Sequence, residues 1–182
     1  MHLPLTTSLA LHPACLPVPI GVDITVVRTE VGGLSLSYCW PECGVRVSSP
    51  KAPRRTDNLW QHTCAELFVA GSGGEAYREF NFAPSGEWAA YDFLAYRQRD
   101  DGLPDIPAPQ ISLSRAHGQV MLNVVLVAAC LPAFARPLRV SVTTVIEQSD
   151  ASLSYWALKH ASAQPDFHQW ASFVLSLDEP NN

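Results

Sequence analysis

The sequence predicts an all-β protein, a single antiparallel β-sandwich of about nine to eleven strands. Apolar residues alternate with polar ones in short runs along most of the chain, as in strands with one buried face. Glycine-containing turn signals separate these runs at short intervals, and no convincing helical pattern is present. With 182 residues, of which 47% are hydrophobic, the chain is expected to form one globular domain over 1–182.

The strand runs follow one another along the chain. Gly32-Gly33 and His117-Gly118 mark turns between them, and Val124–Ala128 is apolar on both faces, so this run is expected in the middle of a sheet. The proline-rich stretches 41–57 and 98–109 predict long loops. The buried positions of the runs are Val22, Ile24, Val26; Leu34, Leu36, Tyr38, Trp40; Val120, Leu122, Val124, Leu126; Leu138, Val140, Val142; Phe173, Leu175 and Leu177.

Composition argues against nucleic acid and membranes as partners and against secretion. A net charge of −5 and a pI near 5.6 leave no basic footprint for nucleic acid, and no run approaches the ~18 apolar residues of a membrane helix. The first residues lack a basic segment of the kind that starts a secretory signal. The five cysteines are odd in number and irregularly spaced, which favours free thiols. We therefore expect a cytoplasmic protein that binds neither nucleic acid nor membrane.

Two neighbouring runs carry polar residues on one face. The runs are 64–69 and 77–82, and the glycine-rich segment 71–74 between them predicts a β-hairpin. Because alternate residues of a strand share a face, the apolar Leu67, Phe80 and Phe82 are expected to face the core. The opposite face carries Cys64, Glu66, Phe68, Tyr77, Glu79 and Asn81.

The register of this hairpin determines whether Glu66 and Glu79 face each other across the two strands. A four-residue loop pairs Ala70 with Glu75 and places Glu66 opposite Glu79. Two like charges facing each other in a sheet are unfavourable unless a proton, a cation, an arginine or a ligand compensates them. Carbohydrate suits this role, because its hydroxyls need acceptors and its ring C–H faces lie against aromatic rings.

The turn 84–86 returns the chain along the same face. A tight register lays Trp88 beside Asn81 and completes a polar surface lined by aromatic rings. The alternatives are a register slip of one residue, or a salt bridge from Arg78 or Arg97 to the acids.

These motifs resemble a DOMON-like β-sandwich, and more narrowly bacterial proteins related to family 9 carbohydrate-binding modules. In those modules a Trp followed six residues later by an acid contributes to the sugar site, which Trp60 and Glu66 match. Trp156 is the nearest match to a second aromatic residue that closes around a terminal sugar. Glu147 stands where the modules commonly carry an Arg. The stretches that carry the resemblance are 59–68, 77–88, 145–147, 155–160 and 165–168.

The resulting prediction is non-catalytic binding of a small carbohydrate or related polar ligand. The expected ligand-binding residues are Trp60, His62, Glu66, Tyr77, Glu79, Asn81, Trp88, Glu147 and Trp156. No cofactor and no metal ligand set is predicted. By resemblance a structural Ca²⁺ or a haem could occur, but no ligand spacing supports either. Met1 and Met121 are the only methionines, and we expect Met121 in the core.

Three alternatives belong to other classes. A sugar-processing enzyme would use Glu66 and Glu79 as acid and base, and the separation of their carboxyl groups would set its stereochemistry. A haem-binding redox module would need an axial ligand. A protein-interaction sandwich would have a packed surface without a pocket around Trp60.

Overall fold

A computed structural model describes residues 4–102, 104–134 and 136–177. The described residues form twelve strands and three short 3₁₀ helices, and they contain no α-helix, which confirms the all-β prediction with one strand more than expected. None of their helices is long and apolar enough to span a membrane. The strands are β1 Leu5–Leu11, β2 Val22–Arg28, β3 Leu34–Pro41, β4 Cys64–Ala70, β5 Tyr77–Phe82, β6 Trp88–Ala95, β7 Gln98–Arg99, β8 Gln110–Ala116, β9 Gln119–Leu126, β10 Leu138–Glu147, β11 Leu153–Ala157 and β12 Leu175–Leu177.

All strand pairs are antiparallel and follow the order β7-β6-β5-β4-β10-β11-β1-β2-β3-β9-β8, while β12 pairs with the first part of β10. We call β4–β7 and β10–β12 the site sheet, and β2, β3, β8 and β9 the back sheet. β1 joins the two, because Leu5–Leu9 pair with β2 whereas Ala10 and Leu11 pair with β11. The chain therefore closes into a sandwich through one shared strand.

The main core lies between the two sheets. Alternate residues of the strands point into it, including Ile24 and Leu36 from the back sheet and Leu67, Phe80 and Phe82 from the site sheet. These side chains are almost completely buried. The face predicted for the last three residues is confirmed, because the period of two in β4 and β5 puts their acids on the other side.

A second apolar cluster covers the outer face of the site sheet. Phe68, Tyr77 and Phe93 project outward from β4, β5 and β6, and Phe167 and Phe173 cover them from the segment that follows β11. Phe68 contacts Phe167 and Phe173 edge to face, with ring centroids 6.5 and 6.1 Å apart. The site sheet is therefore covered on both sides, unlike a sheet with one solvated face.

The register of the first hairpin differs from the prediction by two residues. Ala70 pairs with Tyr77, so Glu66 lies opposite Asn81 and Phe68 opposite Glu79. The connection between β4 and β5 spans six residues, 71–76, two more than the glycine-rich segment alone. A shift of two residues preserves the face of every side chain but makes Glu66 and Glu79 diagonal neighbours.

The register of the second hairpin, between β5 and β6, differs from the prediction by one residue, and this reverses the direction of the β6 side chains. Trp88 pairs with Phe82 and lies in the main core, so the prediction that it shares the face of Asn81 is wrong. Gly86 adopts a positive φ of 92° after a turn closed by its N–H to the Ala83 carbonyl. This extra left-handed residue is typical of three-residue hairpin loops and changes the register by one.

Glu87 connects the loop before β4 to this turn through hydrogen bonds and ion pairs. Its buried carboxylate accepts hydrogen bonds from Lys51 Nζ at 2.8 Å, Arg54 Nε at 2.9 Å and the hydroxyls of Thr56 and Ser85. The Lys51 contact is the largest of several that lower the pKa of Glu87 to about 2. Several strong donors around one buried carboxylate make this a structural ion site.

We expect Glu87→Gln to lower the free energy of unfolding by about 1–3 kcal/mol at pH 7, since hydrogen bonds to charged groups are worth more than neutral ones. The folded-state pKa lies below the unfolded value, so this stabilisation is present above the unfolded pKa and is lost as pH falls through the folded value. The difference between Glu87→Gln and the parent should shrink between about pH 5 and pH 2. Urea unfolding across this range measures it. A difference that stays constant with pH would contradict an ionic role.

Two further predictions concern sulfur-containing residues. All five cysteines are free thiols, as expected. Met121 is 41% exposed on the outer side of β9, so its placement in the core was wrong, because the alternation there puts Val120 and Leu122 inside. Met1 lies outside the described residues.

Candidate functional site

An open cavity of about 1070 Å³ lies over the outer face of the site sheet. Its floor is formed by Glu66 and Phe68 of β4, Glu79 of β5 and Val145 of β10. These residues meet because β4 pairs with β5 on one side and with β10 on the other. Aromatic side chains form the walls, and they are Tyr91, Phe93, Tyr155, Phe167 and, at the rim, Trp60.

Glu66 is the more deeply buried acid of the floor, only 3% exposed. Thr143 Oγ1, from the paired position on β10, donates a hydrogen bond to Glu66 Oε2 at 3.2 Å. Desolvation, followed by the charge of Glu79, raises the pKa of Glu66 well above its ordinary value. A carboxyl group in this position needs a proton or a partner cation.

Glu79 has more polar support than Glu66. Asn81 Nδ2, two residues along β5, donates a hydrogen bond to Glu79 Oε1 at 2.6 Å. Burial raises the pKa of Glu79, whereas the Asn81 hydrogen bond and the charges of Arg97 and Arg99 lower it. The two acids therefore share one cavity but differ in how far they are compensated.

A chain of polar contacts leads from the wall toward Glu79. The Arg97 backbone N–H donates to the Tyr77 hydroxyl at 3.1 Å, and that hydroxyl lies 2.8 Å from Nδ1 of His168. With the Tyr77 proton directed to Nδ1, the imidazole hydrogen is on Nε2, which faces Glu79 Oε2 at 3.8 Å. Burial, and then Arg97, lowers the pKa of His168 to about 4, so this imidazole is neutral at pH 7.

Two arginines lie at the rim together with two aspartates, Asp57 and Asp166. Arg97 Nη2 contacts Asp166 Oδ1 at 2.9 Å. The guanidinium carbon of Arg99 lies 4.0 Å from the ring centroid of Tyr91, whose hydroxyl donates to Asp57 at 2.6 Å. The cation–π contact and the hydrogen bond hold the Tyr91 ring in place as one wall of the cavity.

Trp60 occupies the rim on a short 3₁₀ turn, Leu59–Gln61. The turn follows Asn58 in the left-handed region, with a φ of 61°, and is anchored by the buried Leu59. The Trp60 side chain is 46% exposed, and Trp40, Trp88 and Trp156 are almost completely buried. Its indole face is therefore available to a molecule in the cavity.

The structure brings together five of the nine predicted site residues. Trp60, Glu66 and Glu79 line the cavity. Tyr77 and Asn81 lie directly behind it, where they hold His168 and Glu79 by hydrogen bonds.

The other four predicted residues lie elsewhere. Trp88 and Trp156 project into the main core. In β11, Tyr155 lines the cavity, so the next residue, Trp156, points to the opposite face. His62 Nδ1 contacts Glu147 Oε2 at 2.8 Å on the surface, away from the residues that line the cavity. Glu147 also pairs with Arg46 at 2.9 Å, so its charge is already balanced.

Several lining residues were missed from the sequence. Tyr91 and Phe93 stand in a nearly all-apolar strand, and the correct one-residue register would have placed them on the site face. Arg97, Phe167 and His168 come from turns and loops that carry no periodic signal. Pairing information would have found the first two residues. Phe167 and His168 lie in the stretch 165–168 that carries the resemblance, and Arg97 was an alternative salt-bridge partner of the acids, but no periodic pattern placed these three residues at the site.

Among the described residues, no group of three or more His, Cys, Asp or Glu side chains is placed to hold a metal ion. The cavity therefore presents carboxyl groups, aromatic faces and arginines as its chemistry. Such a surface can accept hydrogen bonds from hydroxyls and stack against apolar ring faces.

No protein-family model matches the chain, and no curated protein gives a significant sequence match. Several solved structures, however, are similar to this chain. A candidate carbohydrate-binding protein from Bacteroides uniformis is 15% identical, with a TM-score of 0.64 over 96% of this chain and 86% of that chain.

A family 9 carbohydrate-binding module from Caldicellulosiruptor kristjanssonii is similar in two structures, one in complex with cellotriose and one with glucose. Each is 7% identical, with a TM-score of 0.59 over 93% of this chain, and they are covered to 80% and 82% respectively. At these identities the likeness concerns the fold, which is the β-sandwich of family 9 carbohydrate-binding modules.

Proposed function

We propose that the outer cavity of the site sheet binds a small carbohydrate without catalysing a reaction. The observation that carries this proposal is the combination of an exposed indole, Trp60, with two buried carboxyl groups, Glu66 and Glu79, in one cavity. Sugars need both kinds of surface, because each ring has an apolar C–H face and a periphery of hydroxyl donors. The shared fold with modules that bind cellotriose and glucose supports the same conclusion.

A binding role agrees better with the electrostatics of the floor than an enzymatic one. Hydrolysis by two carboxyl groups requires one of them to be ionised, as nucleophile or as base. Burial raises the pKa of both Glu66 and Glu79, which disfavours the ionised form that a nucleophile or a base requires. Both can still exchange hydrogen bonds with sugar hydroxyls.

We expect Trp60→Ala to weaken sugar binding by more than about 2 kcal/mol, roughly thirtyfold, and to leave the melting temperature nearly unchanged. A stacked rim aromatic is typical of binding hot spots, whereas a side chain 46% exposed adds little to the core. Calorimetric titration of the full chain with glucose and with cellotriose measures the affinity. Because Trp60 is the most exposed tryptophan, bound sugar should also shift the fluorescence of the parent.

Leu94→Ala is the matched control. Leu94 is 57% exposed and lies outside the cavity, so its removal should change neither affinity nor fluorescence. Parent protein that binds neither sugar, or a Trp60→Ala variant that binds as tightly as the parent, would contradict the proposed site.

A further inference from the structure

The two acids of the cavity floor are compensated unequally. Glu79 receives a hydrogen bond from Asn81 at 2.6 Å and faces Nε2 of His168 at 3.8 Å, and the charges of Arg97 and Arg99 act on it. Glu66 receives one hydrogen bond from the described residues, that of Thr143 to Oε2. Its other oxygen, Oε1, has no partner among them, although the residue is only 3% exposed. Glu66 lines the cavity, so this oxygen is available to a donor group of a ligand.

The surroundings of Glu66 favour a cation over a neutral donor. Phe68 and Tyr155 line the cavity beside it, and aromatic faces attract ammonium groups. No arginine or lysine among the described residues forms an ion pair with Glu66, whereas Glu79 adds a like charge nearby. A hydroxyl would supply one hydrogen bond, but an ammonium group supplies three donors and the missing positive charge.

We infer that the carbohydrate bound in the cavity is an amino sugar, whose protonated amine pairs with Glu66 while its ring lies against the aromatic walls. This inference rests on the proposed function and narrows its ligand class. The rim agrees with it, because Arg99 lies over Tyr91, the residue paired with Glu79, and the Arg97 N–H donates to Tyr77 of the same strand as Glu79. Among the described residues, no arginine or lysine forms an ion pair with Glu66.

The test compares four compounds by calorimetric titration of the full chain at about pH 6.5, below the ~7.7 of an ordinary α-amino group. Glucosamine carries the amine, N-acetylglucosamine has it blocked, glucose has a hydroxyl in its place, and ethanolamine is an amine without a sugar ring. We expect glucosamine to bind about tenfold or more tighter than glucose, which corresponds to ~1.4 kcal/mol. N-acetylglucosamine should have no such advantage, and ethanolamine should bind much more weakly than glucosamine.

Glu66→Gln keeps the shape of the side chain and removes its charge, so it should abolish the preference for glucosamine while glucose still binds. Glu75→Gln is the matched control, since Glu75 is exposed in the connection between β4 and β5 and does not line the cavity. It should keep the preference. A melting curve of each variant confirms that both are folded.

The outcomes separate the two proposals. Glucose binding without any advantage for glucosamine would overturn the amino-sugar inference and leave carbohydrate binding intact. A glucosamine preference that persists in Glu66→Gln would also overturn it. Ethanolamine binding as tight as that of glucosamine would overturn it as well, because the amine alone would then account for recognition. Failure of all three sugars to bind would overturn the proposed function itself.

Discussion

Replacing Phe80 by alanine should lower the free energy of unfolding by about 3–5 kcal/mol, because the substitution leaves a cavity in the main core. Phe80 is completely buried and its ring lies 5.9 Å from that of Phe82, at an angle of 15°. It points away from the cavity of the site sheet, toward the back sheet. The substitution should therefore lower the free energy of unfolding and leave the residues that line the cavity unchanged.

Denaturant unfolding followed by far-UV circular dichroism measures this change. Leu94→Ala, on the adjacent strand β6 but 57% exposed, should cost less than about 0.5 kcal/mol. If Phe80→Ala were as mild as Leu94→Ala, the assignment of the inward face of β5 would be wrong.

Trp156→Ala should likewise cost about 3–5 kcal/mol of stability, in contrast to Trp60→Ala. The Trp156 indole is 5% exposed, lies in the main core and donates its N–H to Ser154 Oγ at 3.0 Å. Removal of the ring leaves a large void and takes away one of the two hydrogen bonds that Ser154 Oγ accepts, the other being donated by Gln148 Nε2.

Thermal melting and glucose titration of Trp156→Ala and Trp60→Ala, two identical substitutions, distinguish the two roles. Trp156→Ala should lower the melting temperature strongly and, at a temperature where it stays folded, bind sugar with nearly parental affinity. A Trp156→Ala variant that melts like the parent but loses binding would instead restore Trp156 to the wall of a sugar site.

The sequence was sufficient to predict the strands and most of their faces. The period of two in β4 and β5 assigned Leu67 and Phe80 to the core and Glu66 and Glu79 to the opposite side, as the structure has them. This works because side-chain direction in a strand depends only on parity, which is written in the local sequence.

Register and pairing were harder to predict, because turns set them. Gly86 adds one left-handed residue to the second hairpin, and this single residue moves Trp88 into the core and Tyr91 onto the site face. In β11 both Tyr155 and Trp156 are large and aromatic, so parity alone did not show which one faces outward. Tertiary packing decides such positions.

The positions that loop residues take in the site could not be predicted from strand periodicity. Arg97, Asp166 and His168 act together only because the chain returns over the site sheet after β11. Their spacing along the chain carries no periodic signal. The chain of polar contacts that leads toward Glu79 is therefore a product of the fold and not of a motif.

The pairing order of the strands also governs how the protein must fold. The floor of the cavity depends on β4 meeting β10, as in the pairing of Glu66 with Thr143, and the sandwich closes only when Ala10 reaches Ala157. Contacts so distant in sequence carry a large loop-closure entropy before they become favourable, which places such topologies among the slow folders, in roughly milliseconds to seconds. A growing chain cannot complete the cavity floor until β10 has been synthesised. The proposed ligand binding would thus be a property of the nearly finished chain, and no fragment that ends before β10 would acquire it.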